Sequence, residues 1–387
     1  MLTQIINGRI FTPQGWLNEG SVLMRDDKIL EVTNCDLALI GAHMIDAKGM
    51  YIVPGFVCMH AHGGGGYDFT ECTSEAFHNI INAHMRHGAT CFFPTLSSTS
   101  FDKLKQAAGI CQQMMDEPGS AVMGLHIEGP YLNRKMAGTQ FADMVKDIDE
   151  EEYKNLIENT HCIRRWDASP ELPGALDFAR YLRDHGIVAA VSHTEAEYAG
   201  IKDAYEAGFT HAAHFYNAMP GFHKRREYKY EGTVESVYLT DDMSIELIAD
   251  GIHLPSTILR LAYKLKGVER TCLVTDALSC AATDGKSIND PRYIIEDGVC
   301  KLADRSALAG SIATSDMLIR TMVKAGIPLG DALRMASETP ARLMGVDDRK
   351  GTLQKDKDAD IVIMDHDLKV RAVWQRGRLV EETNTLF

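Results

Sequence analysis

Short apolar runs alternate with helical patterns through the middle of the chain. Eight runs are typical of buried strands: GFVCMH, ATCFFPTL, AVMGLHIEG, CIRRWDA, IVAAVSH, HAAHFYNA, SIELIADGIH and TCLVTDAL. Stretches with an amphipathic helical period, such as EAFHNIINAHMRHG and PGALDFARYLRDHG, separate most of them. This alternation predicts an α/β fold, a (β/α)8 TIM barrel, whose chemistry lies at the C-terminal ends of the strands.

Both ends of the chain have a different pattern, of short strands separated by turns such as Asp26-Asp27. The closing run is ADIVIMDHDLKVRAVWQRGRLVEE. Neither end is long enough to build a core of its own. We therefore predict that residues 1–54 and 350–387 form one small β-domain, and that residues 55–349 form the barrel between them.

The charge of the chain limits its partners. A formal net charge of −14 over 387 residues argues against nucleic acid or an anionic membrane as the main partner. No apolar run reaches the roughly 18–20 residues of a membrane span, and the start MLTQIINGRIFTPQGW lacks a signal-peptide pattern. Nine cysteines without a CxxC pair predict a cytoplasmic protein with reduced, buried thiols.

Residues suited to metal binding or proton transfer close five of the predicted strands. They are His60 and His62 (first run), Glu128 (third), His193 (fifth), His214 (sixth) and Asp276 (eighth). A single histidine after an apolar run is most often structural, but a barrel would bring this whole set to one mouth. Imidazole and carboxylate ligands suit zinc, iron, manganese or cobalt. Asp276 is remote from the histidines in sequence and is the candidate proton acceptor for a metal-bound water.

Four glycines, Gly63 to Gly66, follow His62 directly. Glycine lets the backbone turn tightly and approach a ligand closely. The alternative interpretation is an ordinary flexible loop after the strand.

The motifs VPGFVCMHAHGGGG, GLHIEGPYLN, VSHTEA, HFYNAMPG, IADGIHL, LVTDAL and LAGS resemble those of the N-acetylglucosamine-6-phosphate deacetylases of the amidohydrolase superfamily. The resemblance runs in order from about Asn7 to Val380. It implies a TIM barrel with a small β-sandwich formed by both termini. It also implies hydrolysis of the N-acetyl group of N-acetylglucosamine-6-phosphate to glucosamine-6-phosphate and acetate.

The resemblance also implies a ligand set and a catalytic residue. Glu128, His193 and His214 match the residues that bind one divalent metal in the family. His60 and His62 match members with a second metal, which the glutamate bridges, so one or two metals per subunit are implied. Asp276 matches the catalytic aspartate, which accepts the proton of the attacking water and passes it to the departing nitrogen.

Substrate-binding residues carry over from the same resemblance, together with a homodimer in which an arginine reaches across the interface. They are Asn217 and Ala218 for the phosphosugar, Arg226 for the phosphate, His253 for the substrate, Leu308, Ala309 and Gly310 over the acyl side, and Thr139 for a backbone contact.

Two features depart from the family pattern. Gln140 stands where the family usually has a histidine that contacts the sugar, and glutamine can form hydrogen bonds but carries no charge. The basic loop is HKRREYKY instead of the family's arginine-glutamate-proline-glycine. Its cations suit phosphate recognition, although a solvated loop is the alternative.

Two other functions remain open from the sequence. One is deacetylation of a different N-acyl amino sugar, phosphorylated or not, which Gln140 and the altered basic loop favour. The other is a catalytically silent barrel that serves as a scaffold. A silent barrel would have no chemical need for the complete ligand set and Asp276.

Overall fold

The barrel is the central element of the computed structural model, which describes residues 1–35, 37, 39–283, 288 and 290–382. Seven of the eight predicted runs contain a barrel strand, and the sixth overlaps the last two residues of its strand, which begins at Phe209. Neighbouring strands pair in parallel. A bridge between Ala61 and Ala277 joins the extensions of the first and last strands. The predicted TIM barrel is therefore confirmed. Barrel strands 1 to 8 are Phe56–Cys58, Ala89–Phe92 continued by Thr95–Leu96, Leu125–Glu128, Ile163–Ala168, Val188–Val191, Phe209–Ala212, Ser244–Ile248 and Thr271–Val274.

Helices surround the barrel and pack their apolar faces on its outer surface. Thr73, Ser100 and Asp149 cap the helices that follow them by accepting a backbone N–H in the first turn. The α-helices are Ser74–Met85, Phe101–Asp116, Glu150–Asn159, Ala175–Asp184, Tyr198–Ala207, Thr233–Leu239, Ser256–Lys266, Ser315–Lys324, Leu329–Ala336 and Glu338–Leu343. Short 3-10 turns cover Phe69–Glu71, Arg134–Met136 and Val268–Arg270.

Barrel strand 4 shows how the strand period separates the outer core from the barrel interior. Trp166 points outward, stacks on Tyr131 with ring centroids 5.7 Å apart, and meets Phe178 edge-on. Its neighbours Arg165 and Asp167 point inward, as the alternation of side chains along a strand requires. The interior of this barrel is therefore polar near its C-terminal mouth, whereas TIM barrels are usually filled with branched apolar side chains.

Both ends of the chain contribute to one eight-stranded sheet beside the barrel. Ile361–Met364 pairs antiparallel with Tyr51–Pro54, which joins the C-terminal strands to the N-terminal ones. The strands are Leu2–Thr12, Gly15–Arg25, Lys28–Thr33, His43–Asp46, Tyr51–Pro54, Ile361–Met364, Val370–Gln375 and Arg378–Glu382. The predicted division into domains, with boundaries at 1–54, 55–349 and 350–387, stays a prediction. Residues 383–387 lie outside the part of the chain that the structure describes.

Three two-stranded hairpins extend from the barrel. They pair Gly63–Gly64 with Tyr67–Asp68, His223–Arg225 with Tyr228–Tyr230, and Tyr293–Glu296 with Val299–Leu302. All nine cysteines are free, and eight are buried as predicted. The prediction is wrong for Cys35, which is exposed. Among the described helices, none combines the length and the apolar character needed to cross a membrane.

Candidate metal centre and catalytic cavity

A cavity of about 1080 Å³ opens at the C-terminal mouth of the barrel. Five of the residues predicted to act on a metal or a proton line it: His62, Glu128, His193, His214 and Asp276. His60 is fully buried just beneath its wall. The barrel thus brings together side chains that are far apart in sequence, because the C-terminal ends of parallel strands meet at one face.

The first cluster joins strand 3 to the ends of strands 5 and 6. Oε1 of Glu128 lies 2.8 Å from Nε2 of His214 and 3.2 Å from Nε2 of His193. The two imidazole nitrogens are 3.2 Å apart, and all three side chains are buried. One carboxylate oxygen and two ring nitrogens therefore converge on a single point.

The second cluster lies beside the first, between strands 1 and 8. Nε2 of His62 is 3.1 Å from Oε2 of Glu128 and 3.2 Å from Oδ1 of Asp276. Nε2 of His60 is 3.6 Å from the same oxygen of Asp276. Glu128 therefore faces both clusters, with Oε1 toward the first and Oε2 toward the second.

The hydrogen bonds made by the Nδ1 atoms of the histidines determine which ring nitrogen keeps a lone pair for a metal. Nδ1 of His193 is 2.7 Å from the carbonyl oxygen of Met136, and Nδ1 of His60 is 2.9 Å from the carboxylate of Glu246. Both partners only accept, so Nδ1 donates its proton and Nε2 keeps its lone pair. His214 is held in the same way, by a backbone carbonyl 3.2 Å from its Nδ1.

This donor set fits a divalent metal. Unprotonated nitrogens facing each other across 3.2 Å repel unless a positive charge lies between them. Nε2 of His60 is buried and has no hydrogen-bond partner among the described residues. Burial disfavours a charged imidazole, yet the adjacent carboxylates of Asp276 and Glu128 outweigh it and raise the pKa of His62 to about 10. The centre therefore carries enough negative charge to hold a cation.

Three residues of the centre adopt a left-handed backbone conformation, which is uncommon for residues other than glycine. The φ angles are 47° for His193, 26° for His214 and 47° for Asp276. Each of the three lies two residues beyond the end of a barrel strand. Such strain persists where the surrounding structure imposes it, and it often accompanies functional sites.

The glycine stretch has a steric explanation in the structure. A Cβ atom on Gly63 would lie 2.4 Å from the carbonyl oxygen of Tyr67, and one on Gly64 would lie 2.6 Å from Nε2 of His84. Nε2 of buried His84 is 2.9 Å from the carbonyl oxygen of Gly63. The predicted close approach therefore occurs, but toward protein backbone and His84, while Gly66 lines the cavity.

Most of the predicted substrate-binding residues also border the cavity. Those that line it are Thr139, Gln140, Asn217, Ala218, His253, Leu308 and Gly310. Nδ1 of His253 is 2.7 Å from Oδ2 of Asp250, which leaves Nε2 as its remaining polar atom. These roles stay predictions, but the structure brings the residues to one cavity.

Two predicted residues lie elsewhere among the described residues. Ala309 is fully buried behind its neighbours and is not part of the cavity wall. Arg226 is exposed in the turn of the hairpin that follows strand 6, and it does not line the cavity of its own chain. The adjacent Arg225 forms an ion pair with Glu197 and covers the ring of Tyr230.

Gln140 contacts Glu128, the residue shared by the two candidate metal clusters. Its Nε2 donates to Oε2 of Glu128 at 2.6 Å, and its Oε1 accepts the backbone N–H of Ser98 at 2.7 Å. Both ends of the amide are therefore used. Gln140 holds the Glu128 oxygen that faces His62, a contact that the sequence did not predict.

A buried network of charged side chains, not predicted from the sequence, lies below the centre. Arg165 donates to both oxygens of Asp167 at 2.7 Å and also binds Glu246, and all three side chains are fully buried. Burial opposes ionisation of Asp167, but Arg165 and His126 outweigh it and hold its pKa at about 2. The sequence does contain a signal for this network, because charged residues occupy positions within strands that are otherwise apolar.

Comparison with known proteins agrees with this geometry. The model of the amidohydrolase family matches residues 51–380. An N-acetylglucosamine-6-phosphate deacetylase of Lysinibacillus sphaericus is 28% identical over 390 residues, covering 98% of each chain. An N-acetylgalactosamine-6-phosphate deacetylase of Escherichia coli O157:H7 is 29% identical and covers 98% of this chain and 99% of its own.

A solved structure has the same fold throughout. It is a mutant of N-acetyl-D-glucosamine-6-phosphate deacetylase from Mycobacterium smegmatis in complex with N-acetyl-D-glucosamine-6-phosphate. Its TM-score to this chain is 0.90 at 29% identity, and the match covers 99% of this chain and 100% of that one. The chain therefore belongs to the amidohydrolase family and, within it, to the group of the N-acetylglucosamine-6-phosphate deacetylases.

Proposed function

We propose that this chain is a metal-dependent deacetylase that hydrolyses N-acetylglucosamine-6-phosphate to glucosamine-6-phosphate and acetate. The observation that carries the proposal is the convergence of Glu128, His193 and His214 beside Asp276 at one open cavity. A relative that binds this sugar phosphate shares the fold over nearly the whole chain. The complete centre argues against a silent scaffold.

Glu128, His193 and His214 would hold one metal, and His60 and His62 a second one. A metal bound there would act as a Lewis acid, which lowers the pKa of a bound water and stabilises negative charge on the substrate's carbonyl oxygen. Zinc, iron, manganese and cobalt all suit these ligands.

Asp276 would transfer the proton. Burial raises the pKa of its carboxyl group, but the neighbouring His60 and His62 outweigh that effect and lower the pKa below its usual value. The group is therefore ionised at neutral pH, which is the form that a general base requires. It would accept a proton from the attacking water and donate it to the departing sugar nitrogen.

Asn217, Ala218 and His253 would hold the phosphosugar, with Thr139 and Gln140 beside it. Leu308 and Gly310 would cover the acyl group. Arg226 does not border the cavity of its own chain, which is consistent with a homodimer in which this arginine serves the partner's cavity. Within the described part of the chain, Lys135 and Arg292 are the lysine and arginine residues that line the cavity, and Arg292 is paired with Asp290.

A second candidate substrate is N-acetylgalactosamine-6-phosphate or another N-acyl amino sugar. Gln140 replaces the family's histidine and contacts Glu128. A relative that acts on the galacto epimer by name is as similar as those named for the gluco epimer.

The test compares acetate release from both 6-phosphates with release from free N-acetylglucosamine, on one sample of known metal content. We expect the highest kcat/KM with N-acetylglucosamine-6-phosphate, little release from the free sugar, and loss of activity after chelation that added metal restores. Faster release from the galacto epimer would favour the second candidate. No release from any substrate by metal-loaded protein would refute the deacetylase proposal.

A further inference from the structure

Glu246 lies at the centre of barrel strand 7, fully buried below the metal centre. Its Oε2 is 2.9 Å from Nδ1 of His60 and accepts the backbone N–H of His214 at 2.9 Å. One carboxylate oxygen therefore contacts one residue of each cluster. No motif in the sequence pointed to this residue.

The other oxygen of Glu246 is held from across the barrel. Oε1 accepts a hydrogen bond from Nη1 of Arg165 on strand 4, and Nε2 of His211 is 3.6 Å away. The remaining guanidinium donors of Arg165 bind both oxygens of Asp167. Arg165 therefore orients Glu246 and balances its charge where water has no access.

This arrangement determines the state of His60. Because a carboxylate only accepts, the proton of the imidazole lies on Nδ1, and the lone pair of Nε2 points toward Asp276 and Glu128. His62 lacks such a constraint, since its Nδ1 faces the hydroxyl of Ser97 at 2.9 Å, which can donate or accept.

We propose that Glu246, oriented by Arg165, is the positioning residue that makes His60 a metal ligand and thereby determines whether the second metal position, at His60 and His62, is filled. This inference rests on one part of the proposed function, namely that the protein binds metal at this centre, and it does not depend on the substrate. The carboxylate acts through His60 and contacts neither the cavity nor the substrate.

Glu246→Gln tests the mechanism with almost no change in volume. Arg165 is the strongest donor nearby, so the amide oxygen turns toward it. The amide NH2 group then faces Nδ1 of His60, which must accept and so moves its proton to Nε2, the atom that would bind metal. His214 keeps the carbonyl partner of its own Nδ1, although its backbone N–H loses the acceptor at Oε2. The first position should therefore lose much less affinity than the second.

The measurement is the zinc stoichiometry and the two zinc dissociation constants of the full-length protein, by elemental analysis and by competition with a chelator of known affinity. We expect two zinc ions per subunit in the wild type. In Glu246→Gln we expect the weaker site to lose about 10–100-fold in affinity, while the tighter site changes much less. Equal affinities in wild type and variant, or a wild type with a single site, would overturn the proposal.

Asp358→Asn is the matched control. Asp358 is also a buried carboxylate bound by cations, Lys28, Arg349 and Lys350, but it belongs to the sheet formed by the chain ends. It should lower stability without changing zinc stoichiometry. A similar loss of zinc in this control would assign the effect to general destabilisation and overturn the proposal.

Glu246→Asp keeps the test decisive if the glutamine variant does not fold. The shorter carboxylate keeps its charge but draws back from His60, so the second zinc affinity should again fall, with unfolding still cooperative. Unchanged zinc binding in this variant would overturn the proposal. Because zinc binding is read without a substrate, failure of the deacetylase proposal would appear separately, as absence of acetate release by the two-zinc wild type.

Discussion

His84 should make the stability of this protein depend on acid pH in a way that one substitution removes. The side chain is fully buried, and its Nε2 contacts the carbonyl oxygen of Gly63 in the hairpin that borders the cavity. Burial lowers the pKa of His84 from 6.5 to about 4, although the bond to Gly63 works in the opposite direction. The ring is therefore neutral in the folded protein at neutral pH.

The sign and size of the effect follow from proton linkage. Because the folded pKa is below the unfolded one, the unfolded chain binds more protons below about pH 6.5, and stability falls as the pH falls toward 4. The contribution lost is about 2 kcal/mol at pH 5 and saturates near 3.4 kcal/mol below pH 4. For a chain of this length, 2 kcal/mol corresponds to about 2–3 °C in Tm.

The assay compares urea and thermal unfolding of wild type and His84→Gln at pH 7.5 and pH 5, both without metal so that metal release does not contribute. Glutamine can donate to the same carbonyl but does not titrate. We expect the stability advantage of the wild type over this variant to shrink by about 2 kcal/mol at the lower pH.

His78→Gln is the matched control, since His78 lies on the same helix with its side chain 48% exposed. This variant removes a histidine from the same helix without removing a buried ring, so it should not reproduce the change of about 2 kcal/mol expected for His84→Gln. If the His84→Gln difference were the same at both pH values, the buried neutral state of His84 would be refuted.

Three further predictions concern the centre and its support. Asp276→Asn should lower turnover by about 10²–10⁴-fold with unchanged metal content by elemental analysis, and surviving turnover would exclude Asp276 as the proton carrier. Gln140→His should alter the ratio of kcat/KM for N-acetylglucosamine-6-phosphate and its galacto epimer, because the amide that holds Glu128 is lost; an unchanged ratio would rule out a role in sugar preference. Arg165→Met leaves two buried carboxylates without their cation and should cost about 3–5 kcal/mol in urea unfolding; a loss below about 1 kcal/mol would contradict the network.

The strands and helices were predictable from the sequence because they depend on the spacing of apolar residues over short stretches of chain. Alternation along a strand and the helical repeat of apolar residues are properties of neighbouring positions. The helix predicted from EAFHNIINAHMRHG begins at Ser74 and ends at Met85, and it buries Phe77, Ile80 and Ile81. In the same way, polar residues that end apolar runs were recognisable as members of one barrel mouth.

The side-chain contacts of the residues near the barrel mouth were not predictable from the sequence. Gln140, predicted beside the sugar, lines the cavity, and it also contacts Glu128 because the loop after strand 3 folds back over its own strand end. The contact with Glu128 was not predictable from the sequence. Arg226, predicted to bind the phosphate across a dimer interface, lies in a hairpin outside the cavity of its own chain. Its role in a partner's cavity stays a prediction. The sequence places a residue in a loop, whereas the direction of a side chain depends on how that loop packs.

The sequence by itself determined the fold class, the order of the barrel strands and the identity of the residues at their C-terminal ends, since local periodicity and strand ends set all three. Only the tertiary structure decided that Glu246 contacts His60 from strand 7 and that Arg165 reaches Glu246 from strand 4. These contacts join segments about 80 to 190 residues apart. They exist because barrel closure and strand register bring distant inward-facing side chains together, and no local pattern encodes that register.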